Sequence, residues 1–113
     1  MDMIQSKQLA GVLTKRFPDT NRYNCDTEEL ILGFAIYTCR QAQQCNVSHL
    51  KDCLDTVDDL YQHGDEEIKH IIERVYVPVL KNRMERQCAG GKLLKIYLPY
   101  SLYHIYISLC YKH

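Results

Sequence analysis

The feature that most constrains this chain is an unbroken helical stripe in its middle. Leu50, Cys53, Leu54, Val57, Leu60 and Tyr61 recur at i, i+3, i+4 and i+7, which places them on one face of a helix. Asn46 or Ser48 can cap its start, and Gly64 can end it by taking the left-handed conformation. Asp65-Glu66-Glu67 opens another helix at once, with its own stripe of Ile68, Ile71, Ile72, Val75 and Val79. Two amphipathic helices joined by so short a link predict an antiparallel hairpin over 48–77. Pro78 lies inside the second pattern, removes a hydrogen bond and predicts a kink or a division there.

The flanking segments extend the all-α expectation. A first helix over about 3–16 follows from Leu9, Val12, Leu13 and Phe17, with Pro18 ending it and a polar loop running to Asn24. Asp26, with Glu29 three residues on, has the spacing of a capping box. The helix it opens, 27–44, carries Leu30-Ile31-Leu32-Gly33-Phe34-Ala35-Ile36-Tyr37, apolar on nearly every side, and so predicts a central buried helix. Ala89-Gly90-Gly91 reads as a break. Beyond it two patterns compete. Leu98, Leu102, Ile105 and Leu109 form a helical stripe, with Pro99 suited to a first turn, whereas Tyr103, Ile105, Ile107, Leu109 and Tyr111 alternate as in a strand. A lone strand would have no partner elsewhere, which favours helix. The expectation is one domain over 1–113, a compact bundle of about five helices.

Charge and cysteine usage narrow the function classes. The formal net charge is +0, with 14 basic and 14 acidic residues, which argues against a general nucleic-acid binder. The chain is two-ended, however. Residues 1–80 hold 13 acids and 8 bases, while residues 81–113 hold 6 bases and the single acid Glu85. Cys25, Cys39, Cys45, Cys53, Cys88 and Cys110 could pair, but no apolar leader opens the sequence and Cys53 sits on a core stripe. Reduced thiols in a cytoplasmic protein are the expectation. No apolar run approaches the roughly 20 residues that cross a bilayer.

No constellation of catalytic type emerges. Strong zinc signals are paired ligands such as C-x2-C, and none occurs. Glu67 and His70 have a spacing used in di-iron bundles, but it occurs once, where such sites need it twice. Nucleophile elbows and phosphate loops are absent. Neither a cofactor, a metal nor an enzymatic activity is expected. Two surface features remain. Asp52, Asp55, Asp58, Asp59, Asp65, Glu66 and Glu67 form a stretch without an intervening Lys or Arg, and Asp52, Asp55 and Asp59 share a helix face opposite the apolar stripe. Such a face can steer a basic protein partner. Five of the nine tyrosines (Tyr97, Tyr100, Tyr103, Tyr106 and Tyr111) fall in the last 17 residues. Tyrosine favours interfaces, so Tyr100, Tyr103 and Tyr106 are candidates for contact with a partner or a second copy of the chain.

Phe17-Pro18 after the first helix, Val57-Asp58-Asp59-Leu60, Gly64-Asp65-Glu66-Glu67-Ile68 and the segment from Val75 to Leu80 together resemble a family of small uncharacterised bacterial helical proteins. Some of its members are similar to immunity proteins, which neutralise a toxin by binding it. Where that family tends to carry an acidic Leu-Glu pair, this chain has Val77-Pro78-Val79-Leu80. The resemblance implies a non-catalytic protein-binding role and brings no catalytic residue with it. The alternative is a homo-oligomeric structural or regulatory protein joined through the tyrosine-rich end.

Overall fold

The computed structural model describes residues 4–17, 26–86 and 88–111. A short 3-10 turn, Ser6–Gln8, leads into α1 (Leu9–Arg16), followed by α2 (Thr27–Gln43) and α3 (Val47–His63). Helix α4 (Glu66–Ile71) passes through a π turn, Ile72–Tyr76, into α5 (Val77–Met84), and α6 (Ala89–Tyr97) and α7 (Tyr100–Cys110) complete the chain. The fold is an all-α bundle. Among the described residues no helix is long and apolar enough to cross a membrane. The loop expected over 18–24 lies outside the described residues.

Side-chain caps set three of the starts. Asp26 accepts from the Glu29 amide at 2.8 Å, Asn46 from the His49 amide at 3.4 Å and Asp65 from the Ile68 amide at 2.9 Å. Each takes up one of the donors that a helix N-terminus leaves free. With α4 and α5 counted as one bent rod, the described residues form six helices. The number exceeds five because the C-terminal segment is two helices, both helical as expected. Leu98 and Pro99 are extended between them (ψ 124° and 153°), since a residue before proline avoids the helical region.

The π turn changes which residues reach the core. A helical stripe from Ile68 would run through Val75 and Val79, yet both are only half-buried. Buried instead are Ile68, Ile72, Tyr76, Leu80 and Met84, four residues apart, with Val77 beside them. The amide of Val77 bonds the carbonyl of Ile72, five residues back, and this wider turn holds one extra residue. Pro78 supplies the reason. It has no amide proton for the carbonyl of Arg74 and its ring would crowd that carbonyl in a regular α-turn. The predicted kink is therefore a π turn that shifts the buried stripe by one position.

Tyr76 ends the π turn and is among the largest fully buried side chains. Its hydroxyl lies 2.7 Å from Thr38 Oγ1, and Thr38 donates to the Phe34 carbonyl at 2.8 Å. The Thr38 proton is thus committed, and Tyr76 is the donor. Phe34 stacks on Tyr76 at 6.2 Å and packs against Phe17 at 5.0 Å, which ties α1, α2 and the π turn together. Leu50, Cys53, Leu54, Val57 and Leu60 are all buried, as the stripe on α3 requires.

Three local expectations are corrected. Gly64 does not adopt the left-handed conformation; its φ is −77° and its ψ 163°. It is needed because a Cβ there would lie 2.3 Å from the Leu60 carbonyl oxygen and 2.8 Å from Ile68 Cγ2. Its neighbourhood also takes up the N-terminal segment, since the Ile4 amide donates to the His63 carbonyl (2.7 Å) and Asp65 donates back to Ile4 (2.8 Å). Ala89-Gly90-Gly91 is no break. It forms the first turn of α6, where a Cβ on Gly90 would stand 3.2 Å from the Gln43 backbone and one on Gly91 2.8 Å from the Arg83 carbonyl. The pair lets α6 pack directly on α2 and α5. Finally, α2 is not buried all round. It exposes a stripe with Leu32 (41%) and Ile36 (46%) above Arg40, so its apolar sequence conceals one solvent-facing edge.

Two glycines should respond oppositely to alanine. Gly64→Ala is expected to cost about 1–3 kcal/mol through overpacking, whereas Gly11→Ala in α1, where a Cβ meets nothing within 4 Å, should gain about 0.5–1 kcal/mol. Urea unfolding of both variants checks the signs. Burial, opposed by the Thr38 hydrogen bond, raises the Tyr76 hydroxyl well above its ordinary value of 10.0. The folded state holds that proton more tightly than the unfolded chain, so stability is intact below pH 10 and falls as pH rises beyond it. Burial acts in the same sense on Cys53, pushed up to about 12. Tyr76→Phe should flatten the alkaline decline in melting temperature.

Candidate functional site

A cleft of about 890 Å³ lies between the bent rod and α7. The C-terminal half of α3 contributes Tyr61, α4 contributes His70, the π turn contributes Glu73 and Arg74, and α5 contributes Pro78. The opposite wall is α7, which contributes Tyr100, Ser101, His104, Ile105, Ser108 and Leu109. The same proline that forces the π turn thus sits in the wall that the π turn shapes. π turns recur at functional sites because they re-aim side chains that a regular helix would turn elsewhere.

Local contacts fix several of these groups. Ser101 donates to Asp58 Oδ1, tying α7 to α3. Tyr100 and His104 meet edge to face at 6.2 Å, one turn apart on α7. Arg74 is paired with Glu28 of α2 at 3.1 Å. Burial, followed by the Glu73 and Glu66 carboxylates, raises the Tyr61 hydroxyl above its usual range. A second, smaller pocket of about 430 Å³ adjoins the first across His70 and Arg74, and Asp26, Glu28 and Glu67 contribute carboxylates to it.

The acidic residues singled out from sequence divide into two groups. Asp65 caps α4. Asp59 is paired with Arg16 (3.5 Å) and His63 (3.6 Å), Asp58 holds Gln62 (3.0 Å) and Ser101, and Glu67 accepts from Thr27 at 3.4 Å. Asp52, Asp55 and Glu66 are exposed and form no ion pair among the described residues. Lys51, beside them on α3, leans over the Tyr97 ring at 5.8 Å. Among the tyrosines, Tyr100 is 82% exposed and lines the cleft, and Tyr103 is 44% exposed outside it. Tyr106 is half-buried beside Cys110, and its ring packs near Tyr103 at 6.1 Å.

Sequence reasoning missed Tyr61, Glu73, Arg74, His104 and Ser108 as a group, because they come from separate helices brought together only by the fold. Pro78 was the available signal, marking where the rod departs from regularity. Among the described residues no three His, Cys, Asp or Glu side chains come close enough together to hold a metal ion. Cys39 and Cys53 are buried, Cys45 and Cys88 are exposed, Cys110 is half-buried, and all five are free thiols; Cys25 lies outside the described residues.

The family described as a domain of unknown function, DUF7674, matches residues 11–113. The chain belongs to that family. The match takes in all the helices from α2 to α7 and hence both clefts. No curated protein and no solved structure matches the chain. Membership agrees with the resemblance to an uncharacterised family and assigns no activity.

Because Glu73 is one of the groups that raise Tyr61, after burial, Glu73→Gln should bring the Tyr61 hydroxyl part of the way back toward 10.0. Ultraviolet titration of tyrosinate, with Tyr61→Phe to assign the signal, reads the shift.

Proposed function

We propose that this chain is a non-catalytic protein-binding module that presents an acidic helical surface to a basic partner. The observation that supports this reading is the division of the acids. Four of them serve the fold, while Asp52, Asp55 and Glu66 stay exposed and form no ion pair among the described residues. Exposed charge of one sign contributes little to folding stability, but it speeds encounter with an oppositely charged surface and selects against like-charged ones. An immunity-like role, with a basic toxin as the partner, is one form this reading takes.

A second reading draws on α6 and α7, where Ile96 (68% exposed), Tyr100, Tyr103 and Tyr111 (84%) leave large apolar groups in solvent. A second copy of the chain could cover them. Removing the segment cannot test this, since Leu94 and Leu102 are fully buried core residues. Ile96→Lys with Tyr103→Lys, followed by sedimentation, can: a dimer that becomes a monomer supports it, and a wild-type monomer ends it.

For the first reading, a photoreactive residue placed at Asp55 in the source cells should capture one basic protein. Replacing Asp52, Asp55 and Glu66 by lysine should leave the melting temperature nearly unchanged. It should also slow association with that protein about tenfold at low salt, an effect that fades as salt rises. Unchanged association would overturn the acidic-surface reading.

A further inference from the structure

We infer that the two adjoining clefts beside the π turn receive successive arginine side chains of an extended segment of the basic partner. This inference rests on the protein-binding reading and gives it a place and a chemistry. The larger cleft is lined by a carboxylate, Glu73, and by the Tyr61, Tyr100 and His104 rings. A guanidinium is planar, stacks on aromatic faces and matches a carboxylate with paired donors, so this lining suits arginine better than a compact ammonium. The smaller cleft carries Asp26, Glu28 and Glu67. Across both, four carboxylates face one guanidinium, Arg74, which stands on the ridge between them and is already bonded to Glu28 at 3.1 Å.

Charge complementarity selects the occupant. An anionic ligand would meet those carboxylates, and the one guanidinium in the lining, Arg74, is already bonded to Glu28. An apolar helix would bury Glu73 and His70 without partners, which is costly. Two separate pockets divided by a ridge suit alternate side chains of an extended chain rather than one continuous apolar face. The π turn is part of the device, since it carries Glu73 and Arg74 and sets their direction.

The test uses the full chain and four blocked peptides: Arg-Gly-Arg, Arg-Gly-Gly-Arg, and the same two with citrulline, a neutral near-isostere, in place of arginine. Amide chemical-shift mapping reports where each binds. The arginine peptides are expected to shift Tyr61, Glu73, Arg74, Ser101 and His104 in a saturable way, with the citrulline peptides silent. Glu73→Gln is isosteric at an exposed position and should weaken binding about fivefold, with Glu67→Gln weakening only the peptide that spans both clefts. Shifts confined to Asp52 and Asp55, or unaltered by Glu73→Gln, overturn the inference and leave the protein-binding reading in place. No shifts at up to about 5 mM peptide, a concentration at which even millimolar affinity registers, also overturn it. Failure to cross-link from Asp55 bears on the protein-binding reading alone, so the two failures are distinguishable.

Discussion

The hydrogen bond between Tyr76 and Thr38 is the constraint around which the bundle is arranged. A buried phenol needs a partner, and the partner offered is a threonine whose own proton is already held by the backbone of α2. This fixes both the direction of donation and the depth at which Tyr76 must sit. Tyr76 closes the π turn, so the same bond decides how far the rod is overrun by its extra residue and which face α5 then presents. Phe34, stacked on Tyr76, transmits that position to Phe17 and α1. A polar contact in the middle of an apolar core thus specifies register, where apolar packing alone would admit several.

The glycines show a different economy of packing. Gly64, Gly90 and Gly91 are retained for the absence of a side chain and not for unusual torsions. At Gly64 and Gly91 a backbone carbonyl approaches closer than a methyl group allows, and at Gly90 the Gln43 backbone leaves a tight 3.2 Å. Short connections then become possible between helices that lie against one another. In consequence α6 rests on the end of α2 and on the last turn of α5, where a break in the chain was expected.

Much of the fold was legible in the sequence. The stripe on α3 was readable because a regular amphipathic helix obeys a local rule, and the caps at Asp26, Asn46 and Asp65 are local too. The rod was readable only up to Ile72, since the pattern beyond it depends on how Pro78 is accommodated, and that is settled by Tyr76 finding Thr38 thirty-eight residues away in sequence. Gly64 was given the right place for the wrong reason, because close approach leaves no signature in one segment alone. The clefts were the least legible part. Asp58, Glu67 and Tyr100 were singled out for surface charge or aromatic character, and only the fold shows that Asp58 holds a wall of the larger cleft, that Tyr100 lines it and that Glu67 lines the smaller one. His104 and Glu73, thirty-one positions apart, share no sequence pattern at all.

The π turn also makes the direction of half the rod a matter of whole-number counting. One extra residue in a turn advances every later side chain by about 100° around the axis, the angle between neighbours on a helix. Val75 and Val79 would hold the core face if the count were one lower, and Tyr76, Leu80 and Met84 would turn outward. The length of this segment is therefore as much a part of its code as its composition. A one-residue deletion between 72 and 76 would remove the surplus and let a regular α-helix carry Tyr76, Leu80 and Met84 on the core face that Val75 and Val79 would otherwise take.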